Sequence, residues 1–213
     1  MYRFRYTMIG ILLLLFVSVP YVRLMLEASM VATMLIQIPL LVVSGYFLAK
    51  GFPKKWQTFF LFFNGNGIAG ILITLFILTY WSLPRSIDAA LNDPLMEFAK
   101  YISLPFLAGL FLYYSWQLLG PISKAFIWAN MISMIFVMSW LYLASPARLC
   151  NNYLVTEQQE LGKAMFILGM GICIVFMGRV FIGKPMFNVI RKKDKKSYLK
   201  MNVKSRDLDE RLI

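Results

Sequence analysis

The sequence predicts an all-α membrane protein, a polytopic bundle of about six transmembrane helices with both termini in the cytoplasm. Of its 213 residues, 60% are hydrophobic and only 15% are charged, whereas soluble domains are roughly 45–50% apolar and about 25% charged. The mean hydropathy of +0.67 agrees with this, because a soluble globule of this size could not bury so much apolar surface. A soluble enzyme is therefore excluded.

Six runs that are largely free of charge approach the roughly 20 residues needed to cross a bilayer. Prolines support several of their boundaries, because Pro53, Pro84, Pro94, Pro121 and Pro146 all fall outside the runs. The predicted spans are residues 6–22, 31–49, 59–80, 101–119, 126–144 and 161–181.

The distribution of charge predicts the orientation. One face of the membrane carries basic residues without acidic ones, and the positive-inside rule places that face in the cytoplasm. These basic residues are Arg3, Arg5, Lys50, Lys54, Lys55 and Lys124. The acidic residues that precede the tail all fall on the opposite, outer face. They are Glu27, Asp88, Asp93, Glu97, Glu157 and Glu160.

The chain is predicted to divide into a helix bundle, residues 1–183, and a basic cytoplasmic tail, residues 184–213. The first apolar run could be a cleavable signal peptide or a retained span, and the lack of a small-x-small site favours the span. The tail carries ten of the 22 basic residues. We interpret it as a solvated flank that contacts anionic lipid, and not as a nucleic-acid-binding segment.

Gly65-Asn-Gly-Ile-Ala-Gly70 fits the dinucleotide-binding pattern. That pattern requires a strand before it and a helix after it, whereas here it falls inside the third predicted span. We therefore interpret its glycines as contacts between helices. Three amides in or beside apolar runs are predicted to point into the bundle, where they can be hydrogen-bonded. They are Asn64, Asn66 and Asn130.

The chain has no histidine, which leaves methionine and cysteine as its soft metal ligands. Methionine stripes on the second and fifth spans could hold Cu(I), although adaptable packing is the more common role of such stripes. They consist of Met30 and Met34, and of Met131, Met134 and Met138. Of the two cysteines, Cys150, in an outer loop, is the better candidate for a functional thiol and is predicted to be accessible from outside, whereas Cys173 lies near the middle of the last span.

Thr156-Glu-Gln-Gln159 has the spacing of a capping box. It predicts that the sixth helix begins there, with Thr156 as N-cap and Gln159 reaching back to it. Glu157 and Glu160 in the first turn favour the helix dipole. Ordinary capping explains these residues.

The outer ends of the third, fourth and sixth spans are expected to converge into a polar vestibule. A basic residue of that face, Arg85, Lys100 or Arg148, is expected to pair with its carboxylates, Glu97 and Glu157. The residues assigned to the vestibule are Trp81, Ser82, Arg85, Tyr101, Glu157 and Gln158.

Several of these motifs occur in an order that resembles a known family. Trp81-Ser-Leu-Pro84 is followed by Asp93-Pro-Leu, by Gly109, and by Glu157-Gln-Gln-Glu-Leu-Gly162-Lys-Ala-Met165. This order resembles the CtaG family of cytochrome c oxidase assembly factors over roughly residues 81–181. Where that family has histidines, this chain has Ser82, Glu97 and Tyr101.

Members of that family help to deliver copper to haem–copper oxidases. The resemblance therefore implies a non-enzymatic assembly factor for a respiratory oxidase in the plasma membrane of a prokaryote. A structural subunit of a membrane oxidase or monooxygenase complex is the alternative, and a small-solute transporter is disfavoured because no broken-helix pair or internal repeat is visible. Either the chain is a metal-free scaffold, or it binds Cu(I) through Met96, Glu97, Cys150 or Met165.

Overall fold

The computed structural model describes residues 2–52, 60 and 64–182, which form helices without any strand. The chain divides into two compact units, Met1–Gly169 and Met170–Ile213. The helices are Tyr2–Ser18 (α1), Pro20–Glu27 (α2), Met30–Gly51 (α3), Ile68–Ser82 (α4), Pro84–Asn92 (α5), Pro94–Leu118 (α6), Pro121–Ala144 (α7) and Val155–Ile182 (α8). The basic tail predicted at residues 184–213 lies outside the described residues.

The described part of the chain contains between four and six helices or helix pairs that could span a membrane. Helices α3, α6, α7 and α8 are each long and apolar enough to cross a bilayer. Helices α1 and α2 qualify together with a bend of 67° between them, as do α4 and α5 with a bend of 72°. The all-α membrane class is therefore confirmed. The expectation that no broken-helix pair exists is wrong.

Proline explains both bends. Pro20 and Pro84 begin α2 and α5. A proline has no N–H to donate and disfavours helical geometry in the residue before it. Accordingly, Val19 and Leu83 both depart from helical geometry, with ψ of 128° and 134°. The first predicted span is thus two helices, because hydropathy does not register a change of direction.

The third predicted span is broken by a turn at residues 64–67. Gly67 has a φ of +74°, which favours glycine, and α4 begins immediately after it. The buried Asn64 closes the turn, because its amide donates to Ser115 Oγ at 2.8 Å and its carbonyl accepts from the N–H of Gly70 at 2.9 Å. Its predicted inward orientation is confirmed, whereas Asn66 and Asn130 are exposed.

Helices α3 and α6 contact each other so closely that only glycine fits between them. A Cβ on Gly45 would collide with the backbone carbonyl of Pro105, and one on Gly109 would lie 2.5 Å from the carbonyl oxygen of Val42. Each helix also contains a π-helical segment, Thr33–Gln37 in α3 and Ser103–Gly109 in α6. The close contact therefore restricts the movement of α3 and α6, and of the polar residues that lie beside their crossing.

Buried apolar side chains from several helices form the core of the first unit. Its most buried large members include Met30, Leu41, Trp81, Leu104 and Tyr142. Both predicted methionine stripes contribute to packing. Met30 and Met34 are core residues, and Met138 and Met131 are partly buried against apolar clusters.

Candidate functional site

Four charged side chains of α2 and α6 meet in what we call the ion-pair cluster: Arg23, Glu27, Glu97 and Lys100. Lys100 Nζ lies 2.7 Å from Glu27 Oε1, and Arg23 Nε lies 3.1 Å from Glu27 Oε2. Arg23 also pairs with Glu97. The side chain of Lys100 is only 2% exposed and that of Glu27 only 8%, whereas that of Arg23 is 36% exposed. The Lys100–Glu27 pair is therefore the buried centre of the cluster.

Gln37 of α3 joins the cluster through both ends of its amide. Its Oε1 accepts from Lys100 Nζ at 3.2 Å, and its Nε2 donates to Glu27 Oε1 at 3.1 Å and to the Tyr101 hydroxyl at 3.0 Å. The Tyr101 hydroxyl donates in turn to the carbonyl of Val17 in α1 at 3.2 Å. One network thus connects four helices, α1, α2, α3 and α6.

Tyr153, in the loop before α8, reaches the same place. Its hydroxyl donates to the backbone carbonyl of Glu27 at 2.8 Å and is hydrogen-bonded to Thr33 Oγ1 at 3.1 Å. The start of α3, the end of α2 and the loop before α8 are therefore linked by a single phenol. Tyr153 is itself buried, at 5% exposure.

Local sequence explains how these side chains meet. Arg23 and Glu27 are four residues apart on α2, and Glu97, Lys100 and Tyr101 have i, i+3, i+4 spacing at the start of α6. Residues at these spacings share one face of a helix. The bend at Pro20 separates the direction of α2 from that of α1, so Arg23 and Glu27 do not continue the apolar face of α1.

The cluster satisfies its own charges. It contains two cations and two carboxylates, so its formal net charge is zero. Among the described residues, no buried side-chain nitrogen or oxygen lacks a hydrogen-bond partner. A buried charge without a partner would be strongly destabilising. The arrangement is chemically suited to holding helices together, since its donors and acceptors are already occupied by one another.

Residues of the cluster line two pockets. One, of about 280 Å³, is lined by residues that include Ser18, Arg23, Glu97 and Tyr101. The other, of about 430 Å³, is lined by Glu27, Asn152, Tyr153 and Glu157, among others. Glu97 and Glu157 thus line different pockets, and the single vestibule between them stays a prediction.

Two other residues assigned to the vestibule, Trp81 and Ser82, are hydrogen-bonded elsewhere. Trp81 is buried and donates from Nε1 to Ser103 Oγ at 2.8 Å, and Ser82 donates to its own helix at Leu78 O. Lys100 does pair with a carboxylate, as predicted, although its partner is Glu27. Arg85 and Arg148 are exposed.

The start of α8 differs from the predicted capping box. The helix begins at Val155, which places Thr156 inside its first turn. Glu157 Oε2 accepts from the N–H of Leu154 at 3.4 Å. The assignment of Thr156 as N-cap is therefore wrong by about two residues, because the adjacent Glu157 can reach back instead.

The motif at the start of α8 forms a contact face toward α7. Gln158, Gly162 and Met165 have i, i+4, i+7 spacing. The Gln158 amide donates to the Tyr142 carbonyl at 3.3 Å, and Ser139 Oγ donates to the Gly162 carbonyl at 2.8 Å. Met165 is a core residue with 8% exposure. Helix packing therefore accounts for the spacing on which the family resemblance depends.

The residues predicted as Cu(I) ligands have different surroundings. Glu97 is paired with Arg23, and Met96 is half-buried. Cys150 and Met165 are buried in the same core cluster. Among the described residues, no three or more Cys, Asp or Glu side chains are grouped as metal ligands.

Cys150 is not accessible, although it lies in a loop. It is 2% exposed, and its thiol donates to the Pro84 carbonyl at 3.2 Å. Burial, together with the nearby carboxylate of Asp88, raises the pKa of the Cys150 thiol to about 11. The prediction of an accessible thiol is wrong, because the loop folds back over the start of α5.

The first testable prediction concerns this thiol. Only the thiolate reacts quickly with maleimides, so Cys150 in the folded protein should label at least about tenfold more slowly at pH 8 than in the detergent-denatured protein. Mass spectrometry of the labelled peptide measures the rate, with Cys173 quantified separately. Equal labelling rates in the folded and denatured protein would contradict the buried position.

The sequence motifs do not include the part of the ion-pair cluster that α2 and α3 contribute. Gln37 belongs to the second predicted span, and Arg23 and Glu27 lie between the first two spans. This part of the chain contains none of the residues behind the family resemblance. A signal did exist, because Glu27 is the only acidic residue before Asp88. A lone acid between apolar segments requires a basic partner when it is buried.

Comparisons with protein-family models, with curated proteins and with solved structures find no match to this chain. The site is therefore interpreted from its own residues. The resemblance to the CtaG family remains a prediction.

Proposed function

We propose that this chain is a membrane-embedded, non-catalytic scaffold that helps to assemble a larger membrane complex, and that this complex is a haem–copper respiratory oxidase. The observation that supports a scaffold is the ion-pair cluster, whose charged and amide groups are bonded to one another across four helices. Such a network fixes helix positions.

The bent helix pairs do not favour transport. In transporters that use broken helices, the breaks lie near the middle of the bilayer and expose helix ends to the substrate. Here the first break follows the 17 residues of α1 and the second follows the 15 residues of α4. At 1.5 Å per residue these lengths are about 26 and 23 Å, which puts both breaks toward one end of a hydrocarbon layer about 30 Å thick.

The oxidase is proposed as the partner because of the sequence resemblance over residues 81–181. We propose the orientation given by the charge distribution, with both termini in the cytoplasm and the ion-pair cluster at the outer side of a prokaryotic plasma membrane. A metal-free mode of action fits the described residues best. Glu97 is neutralised by Arg23, and Cys150 is enclosed by protein.

The second testable prediction is the effect of deleting the chain in its native host. Oxidase activity and the haem absorbance of the membranes should both fall several-fold, and added copper should not restore them, because a scaffold does not act through the metal supply. Re-expression of the wild-type chain is the control. Unchanged oxidase content in the deletion strain would refute the proposed partner, and full rescue by copper would refute the metal-free mode.

Purification in mild detergent separates a factor from a permanent subunit. A factor should be recovered mostly free of oxidase chains, and should be enriched on immature oxidase when assembly is blocked. Stoichiometric co-purification with the mature complex would instead establish the structural-subunit alternative. Quantitative mass spectrometry of the purified material measures the ratio.

A further inference from the structure

Asn130 is an amide in an unfavourable place. It lies in α7, four residues after the start of the fifth predicted span at residue 126, and so about 6 Å inside the hydrocarbon layer. Its side chain is exposed. In the described part of the chain, the amide has no hydrogen-bond partner. An amide that faces lipid tails cannot form the hydrogen bonds that water would supply.

The exposed face around Asn130 has the spacing of a helix–helix interface. Its members recur at intervals of four and three residues, the repeat that allows two helices to interlock along a left-handed crossing. Near Asn130 the side chains of Ala129 and Ser133 are small, so a second helix can approach closely there. The two ends of the face carry large apolar side chains. The exposed residues of the face are Phe126, Asn130, Ser133, Val137, Trp140 and Ala144.

We infer that this face of α7 is a dimer interface, and that a second copy of this chain occupies it. An amide both donates and accepts, so two copies of Asn130 can satisfy each other. Copies that insert with the same topology place Asn130 at the same depth, and a two-fold axis along the membrane normal brings the two amides together. The face carries no charge, so identical surfaces meet without repulsion.

The choice of a second copy follows from this symmetry. A different partner would need an amide or hydroxyl at the matching depth, whereas a second copy supplies one automatically. A single polar residue within an apolar interface is also a known determinant of register and oligomeric state. The inference is independent of the proposed function, since it depends only on α7 crossing the membrane.

The test measures dimerisation of the full-length chain in mild detergent by sedimentation equilibrium. The wild type should be a dimer, and Asn130→Leu should raise the dissociation constant about three- to tenfold, as expected for one hydrogen-bonded pair between membrane helices. Trp140→Ala should weaken dimerisation as well. The matched control is Phe76→Ala on α4, because Phe76 is 71% exposed and Trp140 is 69% exposed.

Cross-linking identifies the occupant. In a Cys173→Ser background, Val137→Cys should form a covalent dimer of this chain in native membranes, and Phe76→Cys should not. A monomeric wild type, a dissociation constant unchanged by Asn130→Leu, or cross-linking of Val137→Cys to a protein of different mass would each overturn the inference. Because leucine suits a lipid-facing position, Asn130→Leu should retain the thermal stability of the monomer, which the same preparation can verify.

Discussion

Replacing Lys100 with methionine is expected to destabilise the protein by about 3 kcal/mol, since removing one partner of a buried ion pair typically costs 3–5 kcal/mol. The lower end applies because Glu27 would keep Arg23 and Gln37 as hydrogen-bond donors. The measurement is the free energy of unfolding in detergent, followed by helical circular dichroism. Lys163→Met is the matched control, because Lys163 is exposed, and it should change stability by less than about 0.5 kcal/mol.

A second variant separates the ion pair from simple loss of packing. Combining Lys100→Met with Glu27→Gln removes both charges of the buried pair while retaining an amide for Arg23 and Gln37. The double variant should therefore recover most of the lost stability, because replacing a buried pair by neutral groups is often close to neutral. If the free energy of unfolding of Lys100→Met lies within about 0.5 kcal/mol of the wild-type value, the cluster does not hold the helices together.

Replacing Gly45 with alanine is the other change expected to have a large effect. The added methyl group would collide with the backbone of Pro105, and backbone cannot move aside as a flexible side chain can. Overpacking of this kind costs about 1–3 kcal/mol and occasionally more, and we expect about 3 kcal/mol. Thermal unfolding of the purified protein measures it.

The control for Gly45→Ala is an interior glycine of a different helix. Among the described residues, no atom lies within 4 Å of a Cβ built on Gly171 in α8. Gly171→Ala should therefore be neutral or stabilising by up to about 1 kcal/mol, since alanine favours helices more than glycine does. Equal effects of the two substitutions would show that the close approach of α3 and α6 does not contribute to stability.

The helical class could be predicted because it depends on the length and the hydropathy of each apolar run. Apolar runs of membrane length predict spans whatever their neighbours are, and α3 at Met30–Gly51 agrees with the span predicted at residues 31–49. The bends could not be predicted in the same way. Pro20 predicts a break in the helix, but the direction that α2 then takes depends on the helices that pack against it.

The direction in which a side chain points from an apolar helix also could not be predicted from the sequence. Asn64 and Asn130 are both amides in or beside apolar runs, and the sequence predicts the same inward orientation for both. One is buried and bonded to Ser115, and the other is exposed. Helix α7 is apolar on all sides, so no amphipathic pattern indicates which side faces protein. Only the packed structure distinguishes the two asparagines.

The ion-pair cluster shows the same limit for a site. Arg23 and Glu27 are visible as a pair at i, i+4, and Lys100 is visible as a lone cation near an apolar run. That Lys100 pairs with Glu27, 73 residues away, depends on how α2 and α6 meet. The family resemblance covers residues 81–181, whereas half of the cluster lies in α2.

We propose that the ion-pair cluster acts as a structural joint in an assembly scaffold. Its most direct test is complementation of the deletion strain with the double variant Glu27→Gln/Lys100→Met, after its stability has been checked against the wild type. If the cluster only holds helices together, the stable double variant should restore oxidase activity to within about twofold of the wild-type level. A double variant that is as stable and abundant as the wild type, yet leaves oxidase activity at the level of the deletion strain, would contradict the claim and would assign the cluster a direct role in function.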